Sequence, residues 1–197
     1  MIATPTRNSE VGYCVGLMMC SGLYGGWVPL TGQSDIHMAR DTLANAFYNN
    51  PQFNTLLWID QDIGFTREDV LAILASKEPL VSGLYTTKGL PPTPHCLDEE
   101  SKPVPLADIP AQGMLRTRFV AGGFLKVDRS VLRTIVERKL VRSCHKGTFH
   151  LFYDRRIFDD KVMSEDYSFS DLAYAAGFDS WIDCGIRLDH DGRKFGC

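Results

Sequence analysis

Short apolar runs of strand length alternate along this chain with longer segments whose apolar positions recur every three or four residues. That pattern predicts a sheet with helices packed on its faces. Ile2 to Pro5 reads as a first strand, and Val11 to Tyr24 as a helix closed by Gly25-Gly26. Trp27 to Leu30 reads as a short strand. Ser34 is placed to cap a helix that carries Ile36, Ala39, Leu43, Ala46 and Phe47 on one face and stops at Asn49-Asn50-Pro51. Thr55 to Ile59 is an unbroken apolar run, as a strand buried on both faces requires, and it ends in Asp60-Gln61-Asp62. Thr66-Arg67-Glu68-Asp69 is a capping-box start for a helix through Val70, Leu71, Ile73 and Leu74, and Leu80 to Tyr85 returns as a strand.

The middle of the chain changes character. Residues 89–115 are rich in proline and charge, show neither period, and read as a long loop of the kind that serves as a lid or binding segment or as plain decoration. Phe119 to Val127 resumes as a strand containing Gly122-Gly123, followed by a helix over Asp128 to Glu137. A further helix, opened by Ser164-Glu165-Asp166, runs to Gly177. Trp181 to Asp183 and Ile186 to Leu188 are short strands leading to Asp189-His190-Asp191-Gly192. No internal repeat is visible.

Composition narrows the picture only modestly. A chain of 197 residues with 44% hydrophobic content fits one domain, residues 1–197, with an ordinary core. The net charge of −3 provides no general attraction to nucleic acid. The six cysteines are scattered without a CxxC pair, which predicts reduced thiols in a cytosol. The opening residues lack the n-region and apolar core of a signal peptide, and no apolar run is long enough to span a bilayer, so the expected location is cytoplasmic.

The chemistry concentrates at Asp60 and Asp62. Carboxylates at the C-terminal end of a central strand stand where ligands enter an open α/β sheet. If the strand stays extended, both side chains point one way and can share a hard cation, Mn²⁺ or Mg²⁺. An acidic turn capping its own amides is the plainer alternative. With its neighbours, Leu56 to Phe65 resembles the donor-metal segment of GT-A glycosyltransferases, including small bacteriophage and bacterial forms. Ile2-Ala3-Thr4-Pro5-Thr6-Arg7 is similar to that family's first strand and nucleotide-base loop, Met38 to Asp41 to its Arg-bearing helix, and Val120 to Phe124 to its acceptor-side strand.

The resemblance covers most of the chain outside the proline-rich middle. It implies a single GT-A-like, Rossmann-like α/β domain with a central, mostly parallel sheet flanked by helices. It also implies a nucleoside-diphosphate sugar, a UDP-sugar first, as donor. Donor contacts then fall to Thr4, Pro5, Thr6, Arg7, Arg40, Asp60, Gln61 and Lys88, with Asp60, Asp62 and His190 on the metal. Glu165 and Asp166 become the catalytic pair, and Gly122, Gly123 and Tyr85 the acceptor side. Each has a structural reading beside it: Arg40 in a plain salt bridge to Asp60 or Asp62, the carboxylates at a helix N-terminus, the glycines at a bulge. Trp58 and Trp181 are expected in the core.

The acceptor hydroxyl is open between a hydroxymethylated base in phage DNA and a glycan, lipid or protein. Arg116, Arg118, Arg129, Arg133, Arg138, Lys139, Arg142 and Lys146 make the stretch after the loop basic, which suits either phosphate contacts or a solvated face. A metal-dependent nucleotidyltransferase or nucleotide-binding module is the reading from another class.

Overall fold

A computed structural model describes residues 1–6, 17, 20–31, 35–89 and 91–190. The first elements are β1 (Ile2–Thr6), β2 (Trp27–Thr31), α1 (Ile36–Tyr48), β3 (Thr55–Ile59), β4 (Ile63–Gly64), α2 (Arg67–Ala75) and β5 (Leu80–Leu84). There follow β6 (Cys96–Leu97), β7 (Met114–Thr117), β8 (Phe119–Val120), β9 (Phe124–Asp128) and α3 (Arg129–Glu137). Two hairpins come next, β10 (Ser143–Cys144) with β11 (Phe149–His150) and β12 (Ile157–Phe158) with β13 (Lys161–Val162). The chain closes with α4 (Glu165–Ala175), β14 (Ser180–Arg187) and β15 (Asp189–His190).

Seven strands form one mixed sheet in the order β2-β1-β3-β9-β5-β14-β7. β2, β1, β3, β5 and β14 run one way, while β9 and β7 run against them. The sheet is buried on both faces, which is why β3 is a continuous apolar run rather than an alternating one. Leu56 and Trp58 enter the core formed with α1, α3 and α4. Leu57 and Ile59 enter the opposite one, with Val70 and Ile73 of α2. Trp58 is fully buried, as its place in the core predicted.

Helix starts follow capping chemistry. Thr66 and Asp69 form the reciprocal capping box expected of α2. For α1 the cap is Asp35, whose carboxylate accepts from His37 N–H at 3.0 Å. The predicted cap, Ser34, lies outside the described residues. α1 also turns two polar residues inward. Asn45 exchanges hydrogen bonds with both backbone groups of His150 (2.8 Å each), and Asp41 accepts from Tyr153 N–H at 2.8 Å. Burial pushes the Asp41 carboxyl up to about 7. These bonds fix Tyr153 edge-on against Trp58, with ring centroids 5.4 Å apart.

Several expected elements are corrected. Most of the helix over 11–24 lies outside the described residues, and the segment from Cys20 to Leu23 is a turn closed by Leu23 N–H on the Cys20 carbonyl. The strand expected over Phe119 to Val127 is two: β8 pairs with β6, β9 enters the main sheet, and Ala121-Gly122-Gly123 breaks between them. Two expected short strands near the end are instead one, β14, with a register shift between Asp183 and Arg187. The proline-rich middle is not wholly irregular, since Thr86 bridges Pro94 and β6 pairs with β8. Cys20, Cys96, Cys144 and Cys184 are free thiols. Among the described residues no helix is long and apolar enough to cross a membrane.

Candidate active site

β1 and β3 pair only at Ile2↔Leu57 and Ala3↔Trp58, whereas β1 stays with β2 as far as Thr6↔Thr31. The two parallel strands therefore part beyond Trp58, and the chain leaves β3 at Asp60. It does not continue extended there. Ile63 N–H donates to the Asp60 carbonyl at 3.1 Å and closes a turn. The expected alternation of Asp60 and Asp62 toward one side fails for that reason, because a turn rotates successive side chains apart. Each carboxylate meets a different cation.

Asp60 meets Arg40. From a buried position on α1, Arg40 Nη2 donates to both Asp60 oxygens (3.1 and 2.9 Å), Nε contacts Glu165 Oε1 at 3.4 Å, and Nη1 donates to the Gly122 carbonyl at 3.5 Å. The guanidinium lies 5.2 Å from the centre of the Trp58 ring. Arg40 thus forms an ion pair with Asp60, and its three nitrogens each have a partner within the protein. Burial pushes the Asp60 carboxyl up to about 6 against the pull of Arg40. Burial also opposes the Arg40 guanidinium, but Asp60 and Glu165 more than compensate and raise its pKa.

Asp62 faces Lys88 and His190. Lys88 Nζ donates to Asp62 Oδ2 at 2.7 Å, and His190 Nε2 stands 3.6 Å from the same oxygen, an ion-pair separation rather than a hydrogen bond. His190 is carried there by β15, which pairs with β4 in the register His190↔Ile63. Its Nδ1 lies 2.7 Å from the Thr86 carbonyl, and since a carbonyl only accepts, Nδ1 carries the hydrogen and Nε2 is directed at Asp62. The His190 contact foremost, then Lys88, holds the Asp62 carboxyl well below the usual carboxylate range in spite of its burial. Burial works against the His190 imidazolium, yet Asp62 and the Thr86 carbonyl raise its pKa.

Whether these groups suit a divalent ion is a question of spacing and donor type. Adjacent ligands of an octahedral Mg²⁺ at about 2.1 Å lie about 3 Å apart, so Asp62 Oδ2 and His190 Nε2, at 3.6 Å, would have to draw closer to hold one ion between them. Thr86 supplies the outer hydrogen bond that metal-bound imidazoles commonly have. Asp60 is turned to Arg40, and among the described residues no three His, Cys, Asp or Glu side chains assemble as a ligand set. Two protein ligands leave the remaining positions to phosphate oxygens and water.

Gly122 and Gly123 join the two sides. Gly122 N–H donates to Asp166 Oδ2 at 3.1 Å, and Gly123 N–H to Tyr85 Oη at 2.7 Å. The Gly123 carbonyl accepts from Asp60 N–H at 2.8 Å. A Cβ at Gly123 would stand 2.6 Å from Tyr85 Oη, and one at Gly122 3.0 Å from the Arg40 guanidinium. The glycines thus hold site residues by close backbone approach. Gly123→Ala is expected to displace Tyr85 and cost about 1–3 kcal/mol of stability, read as a lowered melting temperature, while an unshifted melt would show that Tyr85 relaxes freely.

Asp166 is nearly buried at the start of α4. Its Oδ1 accepts from Tyr167 N–H at 2.8 Å and from the Ser164 hydroxyl, so Ser164 occupies the cap position but spends its hydroxyl on Asp166. Thr4 and Pro5 are buried in β1, and the Thr4 hydroxyl receives Trp27 Nε1–H at 3.4 Å. The Thr6 side chain and Arg7 lie outside the described residues, and Gln61 is half-buried in the turn. The basic stretch is no continuous patch. Arg116 pairs with Asp179, Arg118 with Asp171, Arg133 with Glu137 and Arg142 with Asp154, and Arg129 donates to the carbonyls of Phe47, Tyr48, Asn50 and Phe53.

One residue passed over in the sequence stands among these. His95, in the proline-rich middle, packs edge-on against Tyr85 (5.4 Å) and lies stacked toward His190 (6.4 Å). No local signal marks it. Only the return of the chain at Thr86 and Pro94 brings it there.

The sheet order, the flanking helices and the acidic turn beyond β3 make this a GT-A-like α/β fold. No family model and no curated protein matches the sequence. Among solved structures the chain is similar to A197 from STIV, with a TM-score of 0.62 and 13% identity over 98% of this chain and 90% of that one. It is also similar to GalNAc-T7, solved with UDP, GalNAc and Mn²⁺, with a TM-score of 0.51 and 13% identity over 96% of this chain but 36% of that one. At such identity the likeness is one of fold.

Proposed function

We propose that this chain is a nucleotide-sugar-dependent glycosyltransferase that moves a sugar from a nucleoside-diphosphate donor, a UDP-sugar first, to an acceptor hydroxyl. The observation that carries the reading is the convergence of Asp62, His190 and Lys88 beyond the C-terminal ends of β3, β14 and β5, with Asp166 joined to the same centre through Gly122-Gly123. Mn²⁺ or Mg²⁺ on Asp62 and His190 would neutralise charge on the leaving diphosphate. Lys88 adds a second positive group beside it. Asp60, fixed by Arg40, offers its outer lone pairs to donor hydroxyls. Asp166 takes the proton of the acceptor hydroxyl as its oxygen bonds to the anomeric carbon and the carbon–phosphate-oxygen bond breaks, a single displacement with inversion. The pairing of most of the basic residues after the loop favours a glycan acceptor over a DNA base.

Ligands that bind the native state raise its melting temperature. Melting is to be followed against UDP, GDP, TDP, their sugars and the corresponding nucleoside triphosphates, each with and without MnCl₂. A shift that needs both one nucleotide sugar and Mn²⁺ is expected. Shifts with nucleoside triphosphates alone would favour nucleotidyl transfer, and no shift with any of them would overturn the reading.

A further inference from the structure

His95 belongs to the part of the chain that looked like decoration, yet its placement is tightly determined. Tyr85 accepts His95 N–H on its carbonyl at 2.9 Å, Thr87 N–H donates to Thr93 O at 2.8 Å, and the two threonine hydroxyls meet at 3.0 Å. The hairpin so formed serves both histidines of the site, because its Thr86 carbonyl also takes His190 Nδ1. His95 contacts two rings of the site: His190, beside Asp62, at 6.4 Å, and Tyr167, which follows Asp166, at 6.0 Å. A side chain that contacts both the His190 side and the Asp166 side of the site is placed to meet the sugar that the proposed transfer carries from one to the other.

The polar chemistry of the ring points the same way. His95 Nδ1 is enclosed and has no hydrogen-bond partner among the described residues. Buried polar atoms in native folds are nearly always satisfied, and one left open beside a reaction centre calls for a partner from outside the chain. An imidazole in its neutral form can both donate and accept. A sugar hydroxyl both donates and accepts.

We propose that His95 is a specificity-determining residue that hydrogen-bonds a hydroxyl of the transferred sugar, and that the 85–95 hairpin exists to hold it there. The inference rests on the glycosyltransferase reading and names a residue for its donor-sugar subsite. It is tested by calorimetry with MnCl₂ on the wild-type chain, His95→Ala and His95→Gln, each titrated with UDP and with UDP-glucose, UDP-galactose and their N-acetyl counterparts. For the preferred sugar, His95→Ala is expected to weaken nucleotide-sugar binding about tenfold, the worth of one hydrogen bond, with UDP binding unchanged. His95→Gln, which keeps a donor and an acceptor, is expected to recover part of the loss or to change which sugar binds best. Equal weakening of UDP and nucleotide sugar in both variants, or no weakening of either, would overturn the assignment and leave His95 a packing residue. A wild-type chain that binds UDP but no UDP-sugar overturns the transferase reading itself, a failure told apart from the first because it appears without any substitution.

Discussion

Replacing Asp62 with alanine is expected to lower Mn²⁺-dependent turnover of a nucleotide sugar by about a thousandfold, the effect of losing several kcal/mol of charge stabilisation at the leaving diphosphate. The fold should tolerate the change. Asp62 sits in a turn, its side chain is about a quarter exposed, and its partner Lys88 is nearly half exposed. An ion pair so open contributes little to stability, so the variant is expected to melt within about 1 kcal/mol of the parent. His190→Ala should lose metal dependence in the same way, whereas Lys88→Ala should weaken donor binding and keep the requirement for Mn²⁺. Turnover by the Asp62 variant at the parental rate would remove the metal from the mechanism and shift its work to Lys88.

Arg40→Leu should behave in the opposite manner, with stability lost first. Arg40 is buried with both Asp60 oxygens and Glu165 against it, and its removal leaves these two carboxylates without their buried cation. Breaking one side of such a pair costs about 3–5 kcal/mol, and the lower end applies because Asp60 is a quarter open. The sign of the pH dependence follows from Asp60. Its folded-state pKa is already raised to about 6 with Arg40 in place, and without Arg40 it can only rise further. A carboxyl raised on folding contributes stability at low pH and loses it as pH climbs through the folded value. The gap in melting temperature between parent and Arg40→Leu is therefore expected to be small near pH 5 and wide near pH 8. A gap independent of pH would mean that solvent or Lys88 reaches Asp60 once Arg40 is gone.

The site was unevenly legible beforehand. Asp60 and Asp62 could be found because a continuous apolar run that ends in carboxylates is a local pattern, and β3 occupies the very residues that the run predicted. The Arg40–Asp60 pair was visible as one of two options, since helix period puts Arg40 on a turn that can reach the strand end. The role of the glycine pair was only half visible: a strand weakened at the glycines was expected, for a ligand's close approach or a bulge, and its backbone bonds Tyr85, Asp166 and Arg40. His95 was invisible, because nothing within a few residues of it carries a period, a cap or a motif.

What the sequence by itself determined is what depends on neighbours a few residues away: the helices with their caps, the buried central strand, and the acidic turn at its end. The tertiary structure alone decided which groups meet. The β4–β15 ladder brings His190 to Asp62, α1 reaches Glu165 through Arg40, and the bridge from Thr86 to Pro94 turns a proline-rich segment into one wall of the site. Those meetings are set by the packing of whole elements on two faces of a sheet, and the free energy that selects them comes from burying surfaces far apart in the chain, which no local window of residues contains.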